Sequence, residues 1–306
     1  MQVRVAPSEQ VRPAHGQRWI VRLQPYLWIA PALLVFFIFT LLPMLVGFGL
    51  SFVSWDGINP LRVVGLQNYL DVFRDAEFWQ AIIHNVIYAV GTVAGKISLA
   101  LALAVLLNRA LPGRAIFRTV LFLPVVLSFV VVGLLWNWIY DYNFGLVNGL
   151  LSFLHLGALR QDWLGNSSLA LGALIIVDIW KWFGFHMVIN LAGLQSIPNE
   201  LYEAARIDGA SGWDCFWRVT LPLLQPITAI NVTLATLGAF NVFDLVYVMT
   251  EGGPANATNV ATLDIYIKAF QFYHFGYAAA MSFVLLALVS AVSLTLLRLM
   301  RQERYF

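Results

Sequence analysis

Long apolar runs, each about as long as a bilayer crossing, alternate with short polar stretches along almost the whole chain. The pattern predicts six membrane helices, at roughly residues 27–53, 78–107, 119–140, 168–190, 222–248 and 276–297. Each run is close to or above the ~20 residues needed to cross the hydrocarbon core as a helix. Pro31 and Pro43 fall inside the first run, where neighbouring helices and waters can satisfy the carbonyls that a proline frees. The second run is two-faced. His84, Asn85, Tyr88, Gly91, Thr92, Gly95, Lys96 and Ser98 recur at helical spacing on one face, which is expected to pack on protein. Val86, Val90, Val93 and Ile97 fall on the other, which is expected to meet lipid. Trp136, Trp138 and Tyr140 end the third run as an interfacial aromatic belt.

Composition agrees with this reading. Of 306 residues 60% are hydrophobic and only 11% charged, too few charges to cover a soluble domain of this length. The placement of Lys and Arg then sets orientation. With six crossings both termini share a side, and 12 of the 18 Lys and Arg lie in the segments on that side, against four in the segments on the other. The positive-inside rule puts the termini in the cytoplasm. Residues 1–25, with Arg4, Arg12, Arg18 and Arg22, read as a mobile basic cytoplasmic tail. Residues 26–300 read as a single six-span domain, and 301–306 as a cytoplasmic C-terminal tail. The first apolar run is too long for a signal-peptide core and reads as an uncleaved anchor. The single cysteine, Cys215, excludes an internal disulfide framework.

One polar interruption is unusual. Residues 201–222, LYEAARIDGASGWDCFWRVTLP, carry five charges between two apolar runs on the cytoplasmic side. Leu201, Glu203, Ala204, Ala205 and Arg206 favour helix, Asn199 is placed to cap its start, and Gly209 to end it. A second short piece, Trp213 to Val219, holds Trp213, Phe216 and Trp217. On composition alone this is an interfacial loop with aromatics in the headgroups. Within the spans, Asp178, Lys181, His186, Asn190, Asn231, Asn241 and Asp244 are the polar groups that need a reason. Asp178 and Lys181 are three apart and placed to pair. Lys181, Trp182 and Phe185 offer donors beside aromatic faces, the chemistry that holds a sugar ring. Asn241 and Asp244 share a side of span five, where helix–helix hydrogen bonding is the competing role. Residues 91–98 imitate a phosphate loop, but the glycines are one residue too close and the serine one place late. Gly91 and Gly95 read instead as a small-residue packing face. The histidines show no metal-ligand spacing.

Glu203-Ala204-Ala205, then three residues, Gly209, then nine residues, Val219-Thr220-Leu221-Pro222 resembles the cytoplasmic "EAA" signature of binding-protein-dependent ABC importer permeases, with Val219 where isoleucine is usual. Leu194-Gln195-Ser196-Ile197-Pro198, Ile207-Asp208-Gly209-Ala210, Thr250-Glu251-Gly252-Gly253-Pro254 and Gly276-Tyr277-Ala278-Ala279-Ala280-Met281-Ser282 are similar to the family's maltose/oligosaccharide branch, so the likeness covers about residues 26–300. The resemblance implies an all-α, six-span fold of the MetI-like type. It implies that residues 199–222 couple to a separate ATPase through Glu203, Ala204, Ala205, Asp208, Gly209, Leu221 and Pro222. It also implies a substrate path near Lys181, Trp182, Phe185, Gly238 and Asn241, and a sugar or sugar derivative as cargo. The implied partners are two ATP-binding-cassette subunits carrying ATP and Mg, a second related permease and an extracytoplasmic solute-binding protein in a bacterial or archaeal plasma membrane. The chain itself is expected to bind no cofactor, no metal and no nucleic acid, and to catalyse nothing. The competing readings are an ion-coupled secondary transporter, which predicts an internal repeat and a midplane carboxylate, and a membrane-embedded enzyme, for which no nucleophile–base spacing appears. The outward loops are the expected contact for the binding protein, and the sequons at Asn166 and Asn256 read as chance.

Overall fold

A computed structural model describes residues 15–109 and 112–301. Arg4, Arg12 and the tail 302–306 lie outside the described residues. The chain divides into two compact units, Met1–Leu50 and Ser51–Phe306. The first holds α1 (His15–Phe36), a π-helical turn Phe37–Leu41 and α2 (Leu42–Leu50). The π turn has a sequence cause. Pro43 lacks an N–H and its ring crowds the carbonyl four residues back, at Phe39, so the helix widens there and Leu42 N–H reaches the Phe37 carbonyl. Helix begins at His15, inside the segment 1–25 read as a basic tail, and it stops at Leu50 rather than continuing to 53.

In the second unit, β1 (Val53–Ser54) and β2 (Arg62–Val63) form a small antiparallel ladder ahead of α3 (Gln67–Arg74). The Asn68 amide pins this corner by donating to the carbonyls of Ser51 and Val53, each at 2.9 Å. Then follow α4 (Ala76–Leu107), α5 (Arg114–Val126), α6 (Phe129–Tyr140), α7 (Leu146–Phe153) and α8 (Ala170–Gln195). The chain continues through α9 (Asn199–Ile207), α10 (Gly212–Cys215), α11 (Leu221–Phe240), α12 (Asp244–Met249), α13 (Ala261–Tyr266) and α14 (Phe275–Arg301). Among the described residues five helical stretches are long and apolar enough to cross a membrane, or six if α5 and α6, which meet at 100°, make one span. Among the described residues the fold is all-α apart from that ladder.

The two-faced α4 packs as its pattern predicts. Asn85, Tyr88, Thr92 and Lys96 are buried, while Val86 and Val90 are exposed. Three positions depart from it: Val93 and Ile97 are half-buried, and Ser98 is exposed and donates back to Ala94 O of its own helix at 2.7 Å. Gly91 and Gly95 let α8 approach, because a methyl group at either would meet Ile175 or Ile179. The core is built in tiers. Phe78, Ile82, Met281 and Val284 pack beside α3, Tyr88, Leu174, Val177, Leu245 and Val246 pack mid-unit, and Ala100, Ala104, Met187, Leu191 and Leu224 pack towards α9.

Three predicted elements differ. Span three is not straight: Leu127 leaves the helix with ψ 143°, and Ser128 caps α6 by accepting from Val131 N–H at 3.3 Å. Span five ends early, because α11 stops at Phe240 and α12 starts at Asp244. The expected loop between spans five and six contains α13 and a π turn at Ile267–Gln271.

Candidate functional site

Residues 199–222 fold into two joined pieces. α9 starts after the extended Pro198 (ψ 134°); Asn199 is its first helical residue and provides no side-chain cap. Its end explains the spacing of the motif. Gly209 takes φ +82°, its N–H bonds to Arg206 O at 3.0 Å, and Ala210 N–H bonds to Ala205 O at 2.9 Å. This paired closure through a left-handed glycine is the Schellman geometry, and it requires a glycine four residues after Ala205. Ser211 and Asp214 then cap each other, with Asp214 N–H donating to Ser211 Oγ at 3.2 Å and Ser211 N–H to Asp214 Oδ2 at 3.1 Å. The piece from Trp213 is not separate. α10 passes through a π turn, Phe216–Thr220, directly into α11 as one helix of 29 residues. Pro222 stands behind this π turn as Pro43 stands behind the first. Tyr202 and Thr220 share a hydrogen bond of 3.0 Å that ties α9 to the foot of α11. Glu203, Ala204, Asp208, Gly209 and Pro222 are exposed, Ala205 and Leu221 half-buried, and Ile207 is 85% exposed. α9 thus presents small, acidic and apolar groups together on an open face.

Deeper in the unit, a cavity of about 260 Å³ lies between α4, α8, α11 and α12. Trp182, Phe185, Gly238 and Asn241 all border it, together with Phe129, His186 and Asp244. Both helix breaks open onto this space: Phe129 follows the first and Asn241, Val242 and Phe243 form the second. Non-helical backbone inside a membrane protein is tolerated where protein buries it or where it lines a cavity. The breaks are satisfied locally. Thr262 Oγ1 donates to the Val242 carbonyl, and the Asn241 amide donates to Leu237 O of its own helix at 2.9 Å.

Lys181 is not among the lining residues. Its ammonium donates to the carbonyls of Leu127 at 2.6 Å, Val125 at 3.2 Å and Pro124 at 3.4 Å, and sits 4.8 Å from the Phe129 ring centroid and 5.0 Å from that of Trp182. It therefore caps the carbonyl end of α5 and stands behind the aromatic face. Nor does Asp178 pair with Lys181. Its carboxylate meets Lys96 of α4 at 2.5 Å, because Lys181 turns towards α5 while Asp178 faces α4. A polar chain missed in the sequence continues from the cavity: His186 Nδ1–H donates to Asn231 Oδ1 at 2.9 Å, and Asn231 Nδ2–H to Asn190 Oδ1 at 2.8 Å. Each of these residues was legible as an intramembrane polar group, but not the inter-helix register that joins them.

At the opposite end from α9, a basin of about 980 Å³ is lined by Trp55, Asp56, Asp71, Arg74, Asp75 and Tyr277 among others. Tyr277 donates to Asp75 at 2.6 Å, Lys268 pairs with Glu77 at 2.8 Å, and Asn256 donates to Glu77 at 3.0 Å, so loop 250–260 is clamped to the start of α4. Asp264 is buried beneath this clamp, and burial pushes its carboxyl up to about 6, Lys268 partly opposing.

Residues 96–302 match the family described as the binding-protein-dependent transport system inner membrane component. The chain belongs to that family. The permease is 38% identical over 276 residues to the probable ABC transporter permease protein YurN of Bacillus subtilis, covering 89% of this chain and 94% of the relative. It is 37% identical over 285 residues to the trehalose/maltose transport system permease protein MalF of Thermococcus litoralis, covering 91% and 94%. Its fold is that of a bacterial alginate ABC transporter crystallised with a periplasmic protein bound to an alginate pentasaccharide, with TM-score 0.81, 23% identity and coverage of 95% of this chain and 96% of the other. As a permease of this family it is a multi-pass membrane protein that works with a binding protein and an ABC ATPase.

Proposed function

We propose that this permease carries a sugar or sugar derivative from an extracytoplasmic binding protein into the cytoplasm, driven by ATP hydrolysed on two separate ATPase subunits docked at α9. The observation that carries the reading is the glycine-closed α9, held between the two helices whose far parts border the cavity. From Gln195 back to Trp182 α8 is unbroken over about 20 Å, and α11 covers about 26 Å from Leu221 to Gly238. Unbroken helices of this kind act as levers, so displacement of α9 reaches the Trp182–Phe185 side and the Gly238–Asn241 side together. The Trp182 and Phe185 rings meet edge to face at 5.7 Å and, with the Asn241 amide and the Asp244 carboxylate, offer stacking surface and polar partners for hydroxyl groups. The trehalose/maltose specificity of the Thermococcus relative supports sugar as the class of cargo.

In this reading the termini and α9 are cytoplasmic, in line with the Lys and Arg distribution, and the 980 Å³ basin faces the binding protein. A second, related permease completes the pathway, ATP and Mg belong to the ATPase subunits, and this chain catalyses no reaction. The test is uptake into proteoliposomes holding the permease, its partner permease and the ATPase subunits, with binding protein outside and ATP inside. The expected result is sugar uptake that requires ATP and both soluble-side partners and survives collapse of ion gradients. Uptake that persists without the ATPase and vanishes with the ion gradient contradicts the reading in favour of a secondary transporter.

A further inference from the structure

Two side chains on the cavity wall form a nearly sealed ion pair: Lys96 and Asp178, each 3% exposed. Lys96 comes from the middle of α4 and Asp178 from the facing part of α8, with Nζ and Oδ2 2.5 Å apart. Gly91 and Gly95 already bring α4 and α8 together. Burying two ions is costly, and well-packed apolar side chains hold helices as firmly or more so. Helix packing therefore does not account for the pair. Its place on the cavity wall does.

Among the described residues bordering the cavity, the other ionisable groups are Asp244, exposed in the first turn of α12, and His186, already bonded to Asn231. The Lys181 ammonium is committed to three carbonyls outside the wall. Lys96 is thus the cation nearest a solute, and Asp178 neutralises it. What remains on the wall is one acid, an amide and aromatic faces. These suit the hydroxyl groups and apolar face of an uncharged ring. A solute carboxylate would have to displace Asp178 and leave it a buried anion, or stand unpaired beside Asp244, and both outcomes disfavour it.

We propose that Asp178, by holding Lys96, is a specificity-determining residue that keeps the cavity open to uncharged sugars and closed to sugar acids. The proposal rests on the cavity being the sugar passage described above. Removing the carboxylate alone leaves Lys96 as a buried cation that a sugar acid can neutralise.

The test is saturation-transfer NMR on the complete transporter in lipid nanodiscs without binding protein. The probes are maltotriose, cellotriose and xylotriose, each uncharged, and trigalacturonate, an anion with the same number of rings. Wild type is expected to bind at least one uncharged probe about tenfold or more better than trigalacturonate, and excess trigalacturonate does not displace that probe. Asp178→Asn is expected to raise trigalacturonate binding about tenfold or more while changing the uncharged probe much less. The double variant Lys96→Met with Asp178→Leu, which leaves no unpaired charge, is expected to keep the wild-type preference, and loss of that preference overturns the proposal. Wild type that binds trigalacturonate as well as the uncharged probes overturns it too, whether or not a variant folds, and leaves the sugar passage standing. Asp178→Asn that weakens all probes in proportion shows a purely structural pair and also overturns it. Failure of every probe to bind overturns both the proposal and the passage on which it rests.

Discussion

Lys181→Met keeps most of the apolar stem and removes only the ammonium that closes the carbonyl end of α5. Three carbonyls lose their donor, the closest at 2.6 Å, and Lys181 is 2% exposed, so water does not replace it. A hydrogen bond from a charged donor is worth about 1.5–3 kcal/mol. The buried helix C-terminus adds up to about 2 kcal/mol, and the two ring contacts about 0.5–2 kcal/mol. Against these, methionine relieves the cost of a charge in the membrane, about 3 kcal/mol. The short 2.6 Å bond and the near-complete burial select the upper half of each range, so the net loss is about 2–3 kcal/mol, concentrated at the bend between α5 and α6 rather than spread over the fold. Hydrogen exchange of the purified permease reads it directly. The amides of residues 125–132 should exchange roughly 30- to 150-fold faster, since each 1.36 kcal/mol is tenfold, while α4 and α14 stay unchanged. Lys181→Arg, which retains a buried donor, should lose less than about tenfold. Exchange at the bend unchanged in Lys181→Met would refute the assignment of Lys181 as its cap.

Gly184 meets backbone, not side chain: a methyl group there lands on the Leu121 carbonyl oxygen of α5. Gly184→Ala should therefore cost about 1–3 kcal/mol, seen as a lower melting temperature of the purified complex, because a backbone oxygen cannot swing aside. Asp264 ties pH to stability: its carboxyl is raised by burial from 3.8 to about 6, so between these values the folded chain holds a proton that the unfolded chain has released. Stability from this group should fall as pH rises from about 4 to about 6 and level off above, and Asp264→Asn should flatten that part of the melting-temperature profile. Asp178→Asn should shift solute preference towards sugar acids, as set out above, measured by saturation-transfer NMR.

The parts of the site legible in the sequence are those fixed by local chemistry. The interval from Ala205 to Gly209 is the geometry of a helix closing through a left-handed residue, so it survives as a spacing. The α4 pattern survives because a two-faced helix must keep its period. The breaks at 127–128 and 241–243 are harder to read: Pro124 and Ser128 flank the first and Asn241 and Asp244 the second, but prolines and single polar residues also occur inside continuous spans. What makes them possible is distant in sequence: Lys181 for the first and Thr262 for the second. Asp178 and Lys181 stand three apart on one helix, which suggested a local pair, yet each is claimed by a different neighbouring helix. Charge pairing across helices depends on their register, which one sequence does not carry. The proline-linked π turns were legible in principle, as Pro43 and Pro222 each stand just behind one, but the turn at Ile267–Gln271 has no proline behind it.

The central claim is that α9 passes the ATPase stroke to the helices around the cavity. It is tested most directly by binding-protein-stimulated ATP hydrolysis of the reconstituted transporter carrying Glu203→Lys or Gly209→Asp. An added methyl group at Gly209 has nothing within 4 Å, but the φ of +82° penalises any side chain, so Gly209→Asp loosens the end of α9 as well as adding a charge, while Glu203→Lys changes the charge of the open face alone. Membrane insertion is expected at wild-type levels, with stimulated hydrolysis and uptake reduced about tenfold or more in both variants. Wild-type stimulation and uptake in both would contradict the claim.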